Sequence, residues 1–189
     1  LQAIDKHWDE QDKSIDVVMK RPFAQINVGV TAEDWNAAVG SGIEIEKSQV
    51  VIKNAATSIN LLTGEISGSQ DVTYTSSAIP GEELMVDANG DGTKEAYHWL
   101  SMSYILVNDT HNVDEDKDGT IGDYRTNLES LAYTFTPASG NAIEFAEGLN
   151  NVPVQRNWRT NILGKILTGD IQFNITIDPA YDDDINVNA

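Results

Sequence analysis

The sequence contains no cysteine among its 189 residues, so no disulfide can stabilise the fold. This absence fits cytosolic proteins and also exported bacterial proteins that fold without oxidation, so it leaves the cellular compartment open. Long hydrophobic runs are lacking too, because no stretch approaches the roughly 18 apolar residues of a membrane-spanning helix. A chain of this length can nevertheless bury a core without covalent crosslinks.

Basic residues are scarce. Twelve lysines and arginines stand against 30 aspartates and glutamates, which gives a formal net charge of −18 at pH 7. A surface of this sign repels phosphate backbones and anionic membranes, so we expect no nucleic-acid partner. The acidic excess favours divalent cations and cationic partners, although its simpler interpretation is a well hydrated surface.

Motifs of the common catalytic sites are absent as well. The sequence has no G-x-S-x-G, no H-E-x-x-H and no phosphate-binding P-loop. Its three histidines, His7, His98 and His111, lie far apart, and His98 alternates with apolar residues as a packed or rim residue does. Pairs of carboxylates are uninformative in a chain with 30 acidic residues. The sequence therefore predicts a protein that is not an enzyme.

What the sequence does contain is repeated alternation of apolar and polar residues, the pattern of half-buried β-strands. The alternation begins at Ser14, shifts phase at Pro22 and continues through Ala24, Ile26, Val28 and Val30. Turn-forming pairs containing glycine separate the later segments. Further strands are predicted at Ile43–Ile45, Gln49–Ile52, Ser58–Leu62, Asp71–Thr75, Leu84–Val86, Glu95–Val107, Ser130–Thr136, Ala142–Phe145, Val152–Arg156 and Ile171–Ile177.

Many short strands at this spacing favour an all-β fold, an antiparallel Greek-key β-sandwich with one or two short helices. Thr31 is a suitable N-cap for a short crossover helix that ends near Val39. Tyr97–Val107 is apolar on both alternation phases, which predicts a central strand covered on two sides. We expect residues 1–13 to be a lead-in or the remnant of a preceding domain, and residues 14–189 to form the β-sandwich domain.

Two acidic loops resemble the opening of a calcium-binding loop, in which oxygen ligands alternate along the chain and a glycine permits a sharp turn. The twelfth positions hold His98 and Arg125 in place of the bidentate glutamate, so neither loop is an EF-hand. A weak calcium site and a plain hairpin turn are both compatible with these residues. The candidate ligands are Asp87, Asn89, Asp91 and Thr93 in the first loop, and Asp114, Asp116, Asp118, Thr120 and Asp123 in the second.

A polar cluster surrounds Trp158, with Arg156 and Arg159 on either side of it. The cluster could bind a ligand, with the indole as a stacking platform and the guanidinium groups gripping carboxylates. We favour a structural role, because two positive charges among so many acids will find partners within the protein.

Several segments are similar to the fimbrillin-like proteins of Bacteroidetes, a family of type V pilus subunits and related adhesins. They occur in order and span most of Val18 to Tyr181. The segments are VMKRPFAQINV (18–28), TSINLLTGEISG (57–68), YHWLSMSYILV (97–107), and NVPVQRNWRTNILG (151–164) with IQFNITIDP (171–179).

This resemblance implies a transthyretin-like sandwich, export as a lipoprotein, and display at the outer membrane in a fimbrium. Membrane attachment would run through a lipid anchor that is not present in these residues. The partners would be other fimbrial subunits or surface proteins. In polymerising members a protease removes a strand after an arginine, and a strand of the next subunit fills the groove. Arg21 is followed by Pro22, which makes it a poor cleavage site.

The candidate strand for exchange is the last alternating segment. It points Ile171, Phe173, Ile175 and Ile177 to one face. The residues beyond it are too few and too acidic for a good donor, so either this segment is itself exchanged or the subunit does not donate. A tip or accessory subunit is compatible with the second possibility.

The alternative function is a calcium-stabilised module that binds carbohydrate or a host protein. In that case Trp158, Trp99 or Trp35 would serve as a stacking platform for a glycan.

Overall fold

The computed structural model describes residues 21–107, 111–113 and 123–178. One helix and thirteen strands make up this part of the chain. In order they are β1 (Phe23–Val30), α1 (Ala32–Gly40), β2 (Ile45–Ala55), β3 (Ser58–Ile59), β4 (Ile66–Ser67), β5 (Gln70–Thr75), β6 (Glu83–Val86), β7 (Glu95–Leu106), β8 (His111–Val113), β9 (Asp123–Pro137), β10 (Ile143–Phe145), β11 (Asn150–Gln155), β12 (Arg159–Lys165) and β13 (Gln172–Asp178).

The prediction of an all-β fold is confirmed. Two sheets enclose a common core, one with five strands in the order β13-β12-β1-β7-β6 and one with six strands built around β9 and β2. The 15-residue β9 pairs with β8 and β11 through its first half and with β10 and β2 through its second half. A separate hairpin is formed by β3 and β4.

The expectation of purely antiparallel pairing is wrong at one position. β1 and β12 run parallel, with Asn27 beside Asn161, so the five-stranded sheet is mixed. The turn before β12 sets this direction, because the backbone N–H of Asn157 donates to the carbonyl of Phe23 and the N–H of Gln25 donates to the carbonyl of Trp158. β12 therefore enters the sheet at the start of β1 and follows it.

The centre of the core is β1 and not β7, which the sequence had favoured. Ala24, Ile26 and Val28 are fully buried between the sheets, while Gln25 and Asn27 are buried on the opposite face. β7 is instead half open on that opposite face, where Met102 and Tyr104 are 45% and 50% exposed. The middle position of β1 in the sheet explains its burial on both faces.

The predicted crossover helix is confirmed as α1, which leads from β1 to β2. Thr31 caps it, since its side chain accepts a hydrogen bond from the backbone N–H of Asp34. Among the described residues, no helix is long and apolar enough to cross a membrane.

Several predicted boundaries are wrong. The predicted segment Gln49–Ile52 lies inside the longer strand β2, whereas the predicted segment Ile43–Ile45 overlaps the same strand only at Ile45. β3 ends at Ile59, and the two leucines that follow lie in a turn with 63% and 73% of their surface exposed. β12 was not predicted, because the polar residues around Trp158 concealed the start of a buried strand.

Candidate strand-exchange edge

The last described strand, β13, forms one border of the five-stranded sheet and pairs within the described residues with β12 alone. It runs antiparallel to β12 from Gln172, opposite Lys165, to Asp178, opposite Arg159. Ile171, which the sequence placed in this strand, lies just before it and is 38% exposed. The edge is therefore a seven-residue strand held by backbone bonds on one side.

Phe173 is the main side-chain anchor of β13. Its ring meets the ring of buried Phe145 edge to face, with a centroid separation of 5.1 Å. A Cβ at Gly148 would lie 2.9 Å from the Phe173 ring, so this glycine makes room for it. Ile175 packs against the same core as Phe173, whereas Ile177, opposite Thr160, is half-buried.

Gly164 in β12 permits the close approach of β13. A Cβ at this position would lie 2.1 Å from the carbonyl oxygen of Gln172 and 2.6 Å from the α-carbon of Phe173. Real side chains do not tolerate backbone contacts of this kind. The pairing of β12 with β13 thus depends on a residue without a side chain.

A buried carboxylate holds the turn that leads into β13. Asp34 of α1 is 0% exposed and accepts hydrogen bonds from the backbone N–H groups of Ile166, Leu167 and Thr168, at 2.7, 2.7 and 3.0 Å. The Thr168 hydroxyl donates a fourth bond of 2.6 Å. Such a set of donors satisfies a buried carboxylate. Asp34 therefore fastens the turn of the β12–β13 hairpin to the helix.

Three side-chain amides form a row on the face of the five-stranded sheet that is turned away from the other sheet. Gln25 donates to Asn27 at 2.8 Å, and Asn27 donates to Asn161 at 2.7 Å. Among the described residues, the Nδ2 group of Asn161 is buried without an acceptor, and the hydroxyl of Thr176, opposite it on β13, is buried without a partner. We call these three residues the amide row. The row ends at Asn161, whose Nδ2 group makes no hydrogen bond within the described residues.

The first acidic loop is the turn between β6 and β7. Asp87 accepts backbone hydrogen bonds from Gly90, Asp91 and Gly92, at 2.7 to 3.1 Å. Backbone N–H donation from Thr93 is the main cause of the lowered pKa of Asp91. The Asn89 side chain donates a hydrogen bond to the Asp91 carboxylate and accepts one from the backbone N–H of Asp91. The side chains proposed as ligands therefore turn towards the loop itself, as in a hairpin turn.

Residues 114–122 of the second acidic loop lie outside the described residues, so Asp114, Asp116, Asp118 and Thr120 are not placed. Asp123 opens β9, opposite Val113 of β8. In the described part, no group of three or more histidine, aspartate or glutamate side chains is arranged to hold a metal ion. Calcium binding stays a prediction.

The polar cluster lies in the turn between β11 and β12. The Arg156 guanidinium donates to the carbonyl of Val107 at 3.1 Å, and the Thr160 hydroxyl donates to the carbonyl of Pro153 at 2.7 Å. Arg159 begins β12, and Trp158 is half-buried, so its indole is partly open to solvent. The first contact joins the turn to the residue that follows β7, and the second joins β12 to β11.

The other two candidate platforms differ in their surroundings. Trp35 of α1 stacks on His98 with a ring separation of 4.7 Å. Trp99 donates its indole N–H to the carbonyl of Ser101 and packs against a small apolar cluster that includes Leu163. Neither ring stands alone on an open surface, and glycan binding stays a prediction.

The sequence did not reveal Asp34 or the amide row as parts of this edge. Asn27 and Asn161 are 134 residues apart, and Asp34 reaches donors more than 130 residues away. The available signal was the alternation of Gln25 and Asn27 with apolar residues, which marks the second face of β1.

These elements define an all-β domain in which the border strand β13 packs two side chains, Phe173 and Ile175, against the core. The chain belongs to a family of unknown function, DUF6562, which matches residues 2–189. No curated protein and no solved structure matches it significantly.

Proposed function

We propose that this chain is a non-enzymatic subunit of a cell-surface fimbrium, with a transthyretin-like Greek-key fold, that assembles by β-strand addition at the β12 edge. The observation that carries the proposal is the position of β13. It is a border strand with one backbone-paired neighbour among the described residues, yet it places Phe173 and Ile175 against the core.

This arrangement supports strand addition for a physical reason. In strand addition, main-chain hydrogen bonds supply affinity and alternating side chains fill pockets. If β13 leaves, β12 presents a row of unpaired backbone groups beside a pocket lined by Phe145 and Gly148. A strand from another subunit can pair with these backbone groups and fill the pocket. The segments similar to fimbrillin-like proteins include β12 and β13, which adds to the support.

A disulfide lock tests the proposal, because the sequence has no cysteine of its own. Arg159 and Asp178 are paired across β12 and β13, so the double variant Arg159→Cys/Asp178→Cys can tie the end of β13 in place. The control is Gln49→Cys/Thr75→Cys, a pair across β2 and β5 in the other sheet. Oligomer mass is followed by light scattering after incubation of the concentrated protein.

We expect oligomers from the wild type, from the oxidised control and from the reduced lock, and monomers from the oxidised lock. If the oxidised lock assembles as well as its reduced form, assembly does not use β13. If the wild type stays monomeric at every concentration and also binds no β13 peptide, the proposed function is wrong.

A further inference from the structure

The turn between β6 and β7 contains Asn89 followed by Gly90, the one position in the sequence where glycine follows asparagine. Such a pair is chemically labile, because the glycine nitrogen can attack the side-chain carbonyl carbon of the asparagine and close an unstrained ring. Both residues are exposed, so water can reach the ring and open it. The turn therefore holds all the reactants of a deamidation.

No neighbouring atom crowds this reaction. A Cβ built at Gly90 would meet nothing within 4 Å. The φ angle of Gly90 is 75°, in the left-handed region that glycine adopts freely. Any protection of Asn89 in the folded protein must therefore come from the hydrogen bonds of the turn.

The attacking nitrogen is held by Asp87. The backbone N–H of Gly90 donates to the Oδ1 atom of Asp87 at 2.7 Å. The nitrogen has to lose this proton in order to attack, and the loss places negative charge on it. A carboxylate that accepts the N–H bond stabilises the protonated form and repels the anion. Asp87 therefore lowers the reactivity of the Gly90 nitrogen.

The side chain under attack is held by Asp91. The Nδ2 group of Asn89 donates to the Oδ2 atom of Asp91 at 3.0 Å. The Oδ1 atom of Asn89 accepts from the backbone N–H of Asp91, also at 3.0 Å. Departure of the amide nitrogen breaks the first of these bonds, and the cost of that loss adds to the barrier. Both reactants are thus restrained by carboxylates of the same turn.

We propose that Asn89 is a site of spontaneous deamidation that the Asp87 carboxylate restrains in the folded protein, and that the product loosens the β6–β7 turn. The Gly90 nitrogen gives up its proton and forms a bond to the side-chain carbonyl carbon of Asn89. The bond from that carbon to the amide nitrogen breaks, and ammonia leaves with the proton. Water then opens the cyclic imide at either carbonyl, which gives aspartate or isoaspartate.

The product cannot restore the turn. A carboxylate at position 89 would face the carboxylate of Asp91, where Asn89 now donates a hydrogen bond. Repulsion between like charges replaces that bond. Among the described residues β6 pairs with β7 alone, so the turn is one of the few connections of this border strand. Deamidation therefore weakens the β6 border of the five-stranded sheet.

The rate of deamidation measures the restraint. Wild type and Asp87→Ala are incubated in mildly alkaline buffer, once folded and once in urea, and the tryptic peptide that ends at Lys94 is followed by mass spectrometry. The folded variant lacks a hydrogen bond to a charged group, so we expect it to convert Asn89 about tenfold faster than folded wild type. In urea the two rates should be equal, because the restraint exists only in the folded turn. Asn60 lies in the same peptide, and its conversion should not differ between the two folded proteins.

Two results overturn the restraint by Asp87. One is a rate in folded Asp87→Ala that equals or falls below that of folded wild type, since a lower rate would make the carboxylate a base that promotes the reaction. The other is a wild type that reacts as fast when folded as in urea, and this comparison needs no variant. Circular dichroism checks the fold of Asp87→Ala. If that variant does not fold, Asp87→Asn replaces it and should also react faster than wild type.

The loosening of the turn is tested with Asn89→Asp, which carries the charge of the product. Loss of one hydrogen bond should make the amides of Gly90 and Asp91 exchange with solvent about fivefold faster than in the wild type. The matched control is Asn60→Asp, the same change in the turn between β3 and β4, which should leave the exchange of these two amides unaltered. Unchanged exchange in Asn89→Asp overturns the effect of the product on the turn.

Discussion

Replacement of Asp34 by alanine should destabilise the fold more than any other single carboxylate deletion among the described residues. The carboxylate is fully buried and accepts four hydrogen bonds from Ile166, Leu167 and Thr168. Alanine leaves three backbone N–H groups and a hydroxyl without their acceptor, and each orphaned buried donor costs about 1–3 kcal/mol. Water entering the gap will satisfy part of the set. We expect a net loss of about 4 kcal/mol.

This loss is measurable by thermal and urea unfolding. In a domain of this size, 1 kcal/mol shifts the melting temperature by about 2–4 °C, so the expected decrease is about 8–16 °C. Because Asp34 acts on one turn, hydrogen exchange should also report it locally. The amides of Ile166, Leu167 and Thr168 should lose protection in the variant under conditions where the protein is still folded.

The neighbouring Glu33 provides a matched control. It lies in the same first turn of α1 and is exposed, so Glu33→Ala removes a charge from the helix N-terminus without removing a buried acceptor. We expect it to cost about 0.5 kcal/mol. The reasoning is refuted if Asp34→Ala destabilises the protein by less than about 1 kcal/mol or no more than the Glu33 variant.

Three further predictions follow from single side chains. Tyr133→Phe should stabilise the protein by about 1 kcal/mol in urea unfolding, because the buried Tyr133 hydroxyl has no hydrogen-bond partner among the described residues; a loss of stability would contradict this. Gly164→Ala should lower the melting temperature strongly, since its Cβ would strike the backbone of β13, whereas Gly81→Ala, which meets open space, should change it little. Lys53 lowers the pKa of Asp71 through a hydrogen bond, so the stabilising effect of that pair is present above the ordinary carboxyl pKa and is lost as pH falls through the lowered value. Lys53→Ala should return the pKa of Asp71 towards its ordinary value in an NMR titration, and an unchanged pKa would exclude that cause.

The sequence was sufficient for the elements whose pattern is local. The alternation in β1 and the cap at Thr31 predicted a strand and a helix that are both present, because each depends on neighbouring residues. β12 was missed because Arg159 and Asn161 look like loop residues until the strand beside them is known. Its parallel pairing was not predictable either, since it is set by the hydrogen bonds that Asn157 donates to Phe23 and Gln25 donates to Trp158, between residues far apart in the sequence.

The same limit applies to the candidate edge. Alternation identified Phe173 and Ile175 as members of one face, which agrees with their packing against the core. The amide row and the clamp at Asp34 depend on contacts between distant parts of the chain, and polar side chains carry no periodic signal that distinguishes a buried hydrogen bond from a solvated one. A strand in the interior of a sheet that alternates amides with aliphatic residues, as β1 does, is the feature to look for in related sequences.

The parallel pair of β1 and β12 has a consequence for biosynthesis. During translation, β1 emerges before the strand that flanks it, because Asn161, which lies beside Asn27, follows 134 residues later. Until then one side of the central strand has no native neighbour, and long-range pairing of this kind folds slowly. The nascent polypeptide therefore has an unpaired strand edge while the residues between β1 and β12 are synthesised. A ribosome-bound chain truncated before β12 should require a chaperone to avoid aggregation.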